Sequence, residues 1–348
     1  MKKLFILKDC ISGFYKITDS SIKLTALLSL MILLLGIPTP AQTPIKLFST
    51  GYGPEDIVID SLNSPPRLLV SCASRRPQYP RYGEIEAIDP VKGTRLVLKR
   101  TGEPAGLVFK PHGISLVTAG EVEYLYVISH NDAKGEHPII RYQIDNDSLI
   151  FVEKLDSRLL VSPNALQAYP DGSLVVCNDA AVRGDLKETI FKQKKGNILY
   201  YDGRGNWSII ANKLGMPAGL AGFGNKIFVS ATTENKLYSF VLNDGQLSQK
   251  TVLAEIKGPD NIRFAHGKLI TTSHSKLLKF AAHVKNTSRN SPSIVLSIDT
   301  MTGKVARLFY DNGKLISTAS VAVILNNQLI IGQIFEPFIG ISNQISVK

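Results

Sequence analysis

Cysteine is scarce in this chain: three occur among 348 residues, at positions 10, 72 and 177. Small exported domains that depend on disulfides carry several cysteine pairs at regular spacings, and the sequence has no such pattern. No His and Cys residues stand at the spacings typical of zinc sites either. We therefore expect neither a disulfide framework nor a zinc centre.

Two common catalytic motifs are also missing from the sequence. There is no Gly-x-Ser-x-Gly elbow, on which many serine hydrolases place their nucleophile, and no glycine-rich loop that would cradle a phosphate. These absences exclude the α/β-hydrolase type of esterase and the P-loop type of nucleotide enzyme.

Long hydrophobic runs are lacking except for one near the N-terminus, over residues 24–37. This run follows several lysines and precedes the small residues of 38–41, an arrangement typical of a secretory signal. It is shorter than the ~20 residues that cross a bilayer comfortably. We expect residues 1–41 to form an apolar leader helix that acts as a signal peptide; an uncleaved membrane anchor and a buried helix are the alternatives. The protein is then secreted, periplasmic or membrane-anchored.

The net charge of +11 is dispersed along the chain. The two densest basic stretches, Arg75–Arg76 and residues 192–195, lack the interleaved aromatic residues with which single-stranded nucleic acid is usually bound. We expect a solvated basic surface and no nucleic-acid partner.

What the sequence does contain is a repeat. A proline, one or two small or oxygen-bearing residues and an apolar alternation recur about every 40 to 60 residues, a spacing typical of repeat architectures. The copies begin at Pro54, Pro111, Pro163, Pro217 and Pro259, and a weaker copy without proline begins at Thr318. Further short apolar runs follow each copy and are bounded by Gly, Pro, Asn and Asp, as in strands joined by turns.

Six such units predict an all-β fold, a six-bladed β-propeller of mostly four-stranded antiparallel blades over residues 46–348. Cys72 and Cys177 hold the same position in the first and third units. Equivalent strands of non-adjacent blades are too far apart for a disulfide, so both cysteines are expected to be reduced core residues.

In a propeller the first strand of every blade lines the central channel. The residues that open these strands therefore meet near one mouth of the channel, although they are far apart in the sequence. The converging residues are Glu55, Asp56, His112, Asn164, Ala218, Asp260, Asn261 and Ser320. All of them except Ala218 carry a side-chain oxygen or an imidazole.

Carboxylates brought together in this way need a counter-ion, because buried charge is costly. Ca²⁺ takes six to eight oxygen ligands. The pattern predicts a calcium site in which Glu55 and Asp260 balance the charge and Asn164 and Asn261 add neutral oxygens. The alternative is that these residues cap turns through side chain-to-backbone hydrogen bonds; their shared register position favours the ion.

Two histidines of the second repeat are candidate catalytic residues, since an imidazole that titrates near neutral pH can deprotonate a water. His112 opens the repeat beside the predicted ion, and His130 ends the next strand. His274 holds the position of His130 in the fifth repeat and is a candidate pocket residue. A structural role is the alternative for each. The remaining histidines are expected to be solvated: His137, His266 and His283.

At these positions the sequence resembles the paraoxonase/arylesterase family, six-bladed propellers that act as calcium-dependent lactonases. The resemblance runs through most of residues 46–342. Its specific segments are Gly53-Pro54-Glu55-Asp56-Ile57, Pro111-His112-Gly113-Ile114-Ser115, Ser129-His130-Asn131-Asp132-Ala133-Lys134, Pro163-Asn164 and Asp260-Asn261-Ile262.

The resemblance implies roles for individual residues. The family's catalytic calcium ligands are matched by four residues, namely Glu55, Asn164, Asp260 and Asn261. Its histidine dyad is matched by His112 and His130. Asp56 and the carbonyl of Ile114 match ligands of a second, structural calcium. Two positions depart from the family: Ala218 replaces an asparagine of the catalytic site, and Ala165 replaces an aspartate of the second site.

These features predict a hydrolase, an arylesterase or lactonase, that acts on a small-molecule lactone or aryl ester. The ion would polarise the carbonyl, His112 would activate water, and His130 would relay the proton. Two alternatives stay open: a non-catalytic propeller that binds a ligand or partner, which Ala218 and Ala165 favour, and a propeller like gluconolactonase or strictosidine synthase. The sequence does not indicate an oligomeric state.

Overall fold

Six β-sheets are arranged as blades in the protein, whose structure is a computed structural model that describes residues 44–80 and 82–344. The first strand of each blade contacts the first strand of the next blade, and the last blade contacts the first. The sheets therefore form a closed ring around a channel, which confirms the predicted six-bladed propeller. The predicted leader helix at residues 1–41 lies outside the described residues.

The first three blades follow one another along the chain. Blade 1 consists of β2 (Pro54–Asp60), β3 (Arg67–Ala73), β4 (Gly83–Asp89) and β5 (Thr94–Val97). Blade 2 consists of β7 (Pro111–Ala119), β8 (Val122–Ser129), β9 (Ile139–Asp145), β10 (Ser148–Leu155) and the short parallel partner of β10, β6 (Lys99–Thr101). Blade 3 consists of β11 (Pro163–Ala168), β12 (Leu174–Asn178), β13 (Gly196–Tyr201) and β14 (Trp207–Leu214).

The other three blades complete the ring. Blade 4 consists of β15 (Pro217–Phe223), β16 (Lys226–Ala231), β17 (Lys236–Asn243) and β18 (Gln246–Glu255). Blade 5 consists of β19 (Pro259–Ala265), β20 (Lys268–Ser273), β21 (Ser293–Asp299) and β22 (Val305–Asp311). Blade 6 consists of β23 (Ala319–Leu325), β24 (Gln328–Gln333), β25 (Phe338–Gln344) and, at its outer edge, β1 (Ile45–Ser49).

Blade 6 combines strands from both ends of the described chain. β1 pairs with β25 in antiparallel register from Ile45↔Ser342 to Ser49↔Phe338. Ring closure by a sheet that draws on both ends ties the first and last blades through backbone hydrogen bonds, so neither can separate without breaking a ladder.

The core consists of apolar clusters that lie between neighbouring blades. Successive side chains of a strand point to opposite faces of its sheet. In β3, Leu68 and Val70 accordingly pack toward blade 6, whereas Leu69 packs toward blade 2. Every residue of β3 is buried, because both faces of the blade are covered. This explains why the middle strands read as continuous apolar runs, while the outer strand β5 is exposed throughout.

Two short helices and a 3₁₀ turn interrupt the strands. Helix α1 (Leu186–Ile190) and helix α2 (Leu277–Lys285) each join the second strand of a blade to the third. The 3₁₀ turn (Thr232–Glu234) occupies the same connection in blade 4. Within the described residues, no helix is long and apolar enough to cross a membrane.

The end of α2 is held by the loop that follows β3. The guanidinium of Arg76 donates from Nη1 to the carbonyls of His283 (2.9 Å) and Val284 (2.8 Å), which are end-of-helix acceptors in need of donors. His283 is buried and donates from Nδ1 to the carbonyl of Arg289 at 2.9 Å. The prediction that His283 is solvated was therefore wrong, because its ring packs against Phe335 and lies beside the carboxylate of Glu336.

Candidate functional site

The candidate site lies where the six innermost strands begin, and every one of them has an irregular register there. Pairing with the second strand shifts between Pro54 and Asp56 in blade 1 and between Ala319 and Val321 in blade 6. The residues skipped in the six blades are Glu55, His112 with Gly113, Asn164, Ala218, Asp260 with Asn261, and Ser320. A bulge re-aims the side chain of its extra residue. The repeat therefore carries one bulge per blade, and these bulges hold the predicted site residues.

Hydroxyl groups satisfy several of the backbone carbonyls that the bulges release. Ser320 Oγ donates to the carbonyl of Glu55 at 2.6 Å, and Ser71 Oγ donates to the carbonyl of His112 at 2.6 Å. Each bond joins adjacent blades. Buried carbonyls need such partners, so the serines of these strands fix the bulges and with them the direction of the site side chains.

Gly113 shows how closely the bulges approach one another. A Cβ atom at this position would lie 2.2 Å from the carbonyl oxygen of Asn164 in the next blade. Only glycine permits that approach, which brings His112 beside Asn164.

Glu55 is the centre of the polar contacts. It is 3% exposed, and its Oε1 accepts from Nδ2 of Asn261 at 2.9 Å. The Nε2 atom of His112 lies 3.8 Å from the same oxygen. Asp260, which precedes Asn261 on β19, has its Oδ2 2.8 Å from Nε2 of His274. Blades 1, 2 and 5 therefore meet here, as the sequence predicted.

Asn164 completes the group from blade 3. Its Nδ2 donates to Oδ2 of Asp179 at 3.1 Å. Asp179, which also accepts from the hydroxyl of Ser162, follows the second strand of blade 3. Ala218 of blade 4 is buried and contributes no side-chain oxygen. The predicted oxygen residues of blades 1, 3 and 5 thus converge, and blade 4 adds only a methyl group.

Several buried polar atoms at this point have no hydrogen-bond partner of normal geometry among the described residues: Glu55 Oε2, Asn164 Oδ1, Asn261 Oδ1, His112 Nε2 and His130 Nε2. Leaving a buried polar atom unpaired costs about 1–3 kcal/mol. Three of the five are oxygens of predicted calcium ligands. Such a set is incomplete by itself and suits a cation that binds oxygen.

The electrostatics agree with an excess of negative charge. Burial, together with the carboxylates of Asp56 and Asp260 and against the opposing effect of Arg75, raises the pKa of Glu55 to about 8. Burial also raises the pKa of Asp179. A bound cation reverses this balance by favouring the ionised carboxylates. In the described part of the chain, no three His, Cys, Asp or Glu side chains lie close enough to hold a metal ion; the candidate set depends on carboxamides as well.

The two predicted catalytic histidines form a pair. The rings of His112 and His130 lie 5.0 Å apart between centroids in an edge-to-face arrangement. Burial lowers the pKa of both well below the usual value, with further lowering by Arg75 at His112 and by Arg183 at His130. Both imidazoles are therefore neutral near pH 7 and carry one lone pair each.

The contact with Arg75 determines which ring nitrogen of His112 carries the proton. Its Nη2 lies 3.2 Å from Nδ1 of His112, while the same guanidinium donates to the carbonyls of Gly53 (2.8 Å) and Ala73 (2.9 Å). Because a guanidinium only donates, Nδ1 of His112 accepts and the proton of the neutral ring lies on Nε2. The sequence singled out Arg75 only as part of a basic stretch.

His137 is a further residue whose place sequence reasoning missed. It is 6% exposed, and its Nδ1 lies 3.1 Å from Nδ1 of His130. The prediction that it is solvated was wrong, because the loop between β8 and β9 turns it inward. Its separation of seven residues from His130 in a turn carries no signal that would have revealed the contact.

The residues expected at a second ion have a different partner. Asp56 and the carbonyl of Ile114 both accept hydrogen bonds from the guanidinium of Arg263. Ala165 is buried and supplies no oxygen. The structure thus places a positively charged side chain where a second calcium was expected.

Comparison with known proteins shows which family the chain resembles. A family model described as Arylesterase matches residues 84–339. Serum paraoxonase/arylesterase 1 of Rattus norvegicus is 23% identical over 282 residues, covering 73% of this chain and 78% of that protein. Serum paraoxonase/lactonase 3 of Homo sapiens is 22% identical over 240 residues, covering 66% and 67%.

Among solved structures, a gluconolactonase from Xanthomonas campestris is similar with a TM-score of 0.57 and 16% identity, covering 88% of this chain and 92% of that one. At this identity the likeness shows the propeller fold alone. The family model, in contrast, covers most of the chain, including His112, Asn164, Asp260 and Asn261. The chain therefore belongs to the arylesterase (paraoxonase) family.

Proposed function

We propose that this protein hydrolyses lactones or aryl esters with the help of one calcium ion at the mouth of the channel. The observation that carries the proposal is the set of buried, unpaired oxygens on Glu55, Asn164 and Asn261, which lies beside two neutral histidines. Membership of the arylesterase family and similarity to serum paraoxonases support an ester-type substrate of small size.

The residues present fit an ion that prefers oxygen ligands. Glu55 and Asp260 would hold it with carboxylate oxygens, and Asn164 and Asn261 with their free carboxamide oxygens. Since Ala218 supplies no oxygen, water or substrate would fill that direction. When bound, such an ion polarises an ester carbonyl and stabilises the oxyanion that develops on it.

The two histidines would handle the proton of the attacking water. With the proton of His112 on Nε2, this nitrogen is a donor that can orient a water or a substrate oxygen. If His130 donates its Nδ1 proton to His137, its Nε2 keeps a lone pair and can accept a proton. In that tautomer His130 would act as the base and His112 as the donor, the reverse of the order expected from the sequence.

Hydrolysis by this route needs no covalent enzyme intermediate. The water oxygen bonds to the acyl carbon while His130 Nε2 takes its proton, and the ester C–O bond then breaks. The leaving oxygen takes up the proton that the histidine pair holds, which regenerates the neutral pair.

A panel of lactones and phenyl esters, assayed with added calcium and with a chelator, tests the proposal together with the calcium content of the purified protein. We expect turnover that the chelator abolishes. Glu55→Gln should lose both calcium and turnover, whereas Glu153→Gln, on the outer strand of blade 2, should keep both. Turnover that is unchanged by chelator would refute the proposal.

One further result would favour a different function. Stabilisation by calcium without turnover on any substrate would indicate a ligand-binding propeller in which Ala218 marks lost chemistry. Export or membrane anchoring through residues 1–41 remains a separate proposal, because these residues lie outside those the structure describes; N-terminal sequencing of the protein from its host would show whether the leader is cleaved.

A further inference from the structure

Arg263 lies on β19, two residues after the candidate calcium ligand Asn261. Its guanidinium donates to oxygens from three blades. These are the carbonyl of Ile57 (from Nε, 2.9 Å), the carbonyl of Ile262 (from Nη1, 2.8 Å), the carbonyl of Ile114 (from Nη2, 3.3 Å) and Oδ1 of Asp56 (from Nη2). The strands that supply these oxygens belong to blades 1, 2 and 5.

Asp56 is fully engaged in this arrangement. It is 1% exposed, its Oδ1 also accepts from the amide of Ile57 at 2.9 Å, and its Oδ2 accepts from the amide of Ile114 at 2.8 Å. Its charge is balanced by the guanidinium in a buried ion pair. The contrast with Glu55 is direct, since Glu55 retains an unpaired oxygen and no guanidinium donates to it within the described residues.

We propose that Arg263 is a built-in cation that takes the place of a second metal ion, so that this chain binds at most one calcium. A guanidinium is always charged and carries five donors. It can therefore bridge the same carboxylate and carbonyl oxygens that a metal would gather, without an ion from solution. A divalent ion beside it would meet a like charge and would have to displace its hydrogen bonds.

The absence of a second carboxylate agrees with this assignment. Ala165, the third residue of β11 in blade 3, is 3% exposed and packs its methyl group in the apolar cluster between blades 3 and 4, so it supplies no carboxylate. A singly charged guanidinium needs a single carboxylate, which Asp56 provides. A divalent ion at this position would need more negative charge than Asp56 alone supplies.

Arg263 also separates two compartments of the channel. A cavity of about 240 Å³ continues beyond it and is lined by residues that follow the bulges, among them Val58, Ser115, Gln167 and Phe264. None of the residues proposed for the catalytic calcium lines this cavity, whereas Arg263 and Ile114 do. The guanidinium thus borders this cavity while it ties blades 1, 2 and 5 together.

This inference goes beyond the proposed function and does not rest on it. Its test is the number of calcium ions bound per chain, measured by equilibrium dialysis and elemental analysis, together with thermal unfolding in calcium and in chelator. The full-length protein should bind no more than one ion. Two ions bound to the unaltered protein would overturn the inference, whatever its catalytic activity.

Two variants sharpen the test. Arg263→Ala combined with Ala165→Asp exchanges the guanidinium for a carboxylate; we expect one more calcium than in the unaltered protein and a melting temperature that becomes calcium-dependent. Arg263→Met should lower the melting temperature by about 5 °C or more in chelator. Arg141→Met, which removes a partly exposed arginine paired with Glu153, should change it by less than about 2 °C.

The possible results separate this inference from the calcium-dependent hydrolase. Binding of no ion by the unaltered protein but of one by the double variant would refute the hydrolase and support the role of Arg263. If the double variant fails to fold, Arg263→Lys keeps the charge with fewer donors and should gain no ion. An extra ion in Arg263→Lys, or unchanged stability in Arg263→Met, would contradict the inference.

Discussion

Asn261→Asp is the substitution that most directly tests whether the buried oxygens form a cation site. Asn261 donates from Nδ2 to Glu55 Oε1 at 2.9 Å. At pH 9, above the pKa of about 8 for Glu55, that carboxylate is mostly ionised; an aspartate at position 261 cannot donate to it, so the variant loses a hydrogen bond to a charged group, worth about 1.5–3 kcal/mol. It also sets two carboxylates about 3 Å apart, for which Coulomb's law with an effective dielectric constant of about 20 gives an upper limit of about 6 kcal/mol.

Relaxation of the side chains reduces the repulsion, so we expect the variant to be less stable than the unaltered protein by about 2–5 kcal/mol in chelator. For a chain of this size that corresponds to a fall in melting temperature of roughly 4–15 °C. With saturating calcium the added carboxylate becomes a ligand, and most of the loss should be recovered because binding to the folded state alone is stabilising.

Thermal unfolding at pH 9, in chelator and over a calcium series, measures both effects. Asn235→Asp is the matched control, because it adds the same charge in blade 4 and keeps the Oδ1 acceptor that Gly258 uses; its stability should not depend on calcium. If Asn261→Asp is as stable as the unaltered protein in chelator, the contact with Glu55 is not formed. A loss that calcium leaves uncorrected would show that these oxygens do not bind the ion.

Three further predictions concern Glu86, Gly113 and His137. Burial and a neighbouring glutamate raise the pKa of Glu86 from 4.5 to about 7, so its contribution to stability is complete below pH 4.5 and is lost as the pH rises through 7. Glu86→Gln should therefore gain about 1–3 kcal/mol relative to the unaltered protein at pH 8 but not at pH 4.5, and equal gains in denaturant titrations at both pH values would contradict this. Gly113→Ala places a Cβ 2.2 Å from the carbonyl of Asn164 and should cost at least about 2 kcal/mol, seen as a lower denaturant midpoint; an unchanged midpoint would show that the bulges do not approach so closely. His137→Phe removes a hydrogen-bond partner of His130 and should lower kcat on a lactone by about 10- to 100-fold while the folded state survives, so full turnover in this variant would exclude His137 from the proton path.

The fold followed from local features of the sequence. In blades 1 to 5 the innermost strand opens at the proline that begins the repeat motif, and in blade 6 it opens at Ala319, one residue after the start of the proline-free copy at Thr318. A proline that lacks an amide donor fits the first position of a strand. Two details could not be predicted, because they depend on distant pairing: β1 at the edge of blade 6, and β6 beside β10.

The sequence predicted which residues meet at the site more fully than it predicted the hydrogen bonds that they make. Glu55, Asn261 and His112 meet as expected, since the repeat register alone brings the openings of innermost strands together. The partners Arg75 and Asp179 come from loops after the second strands, and their directions depend on backbone turns that have no periodic signal.

What the amino-acid sequence by itself determined is the period of the propeller and the oxygen-rich column at the channel mouth, because strand length, turn residues and register are local properties. Only the tertiary structure decided which cations face which oxygens. Arg263 stands three residues after Asp260 in the chain, yet its guanidinium reaches the carboxylate of Asp56 across the ring. Closure of the ring sets that distance, so no local pattern contains it, and the choice between a metal ion and a side chain as counter-ion is made in three dimensions.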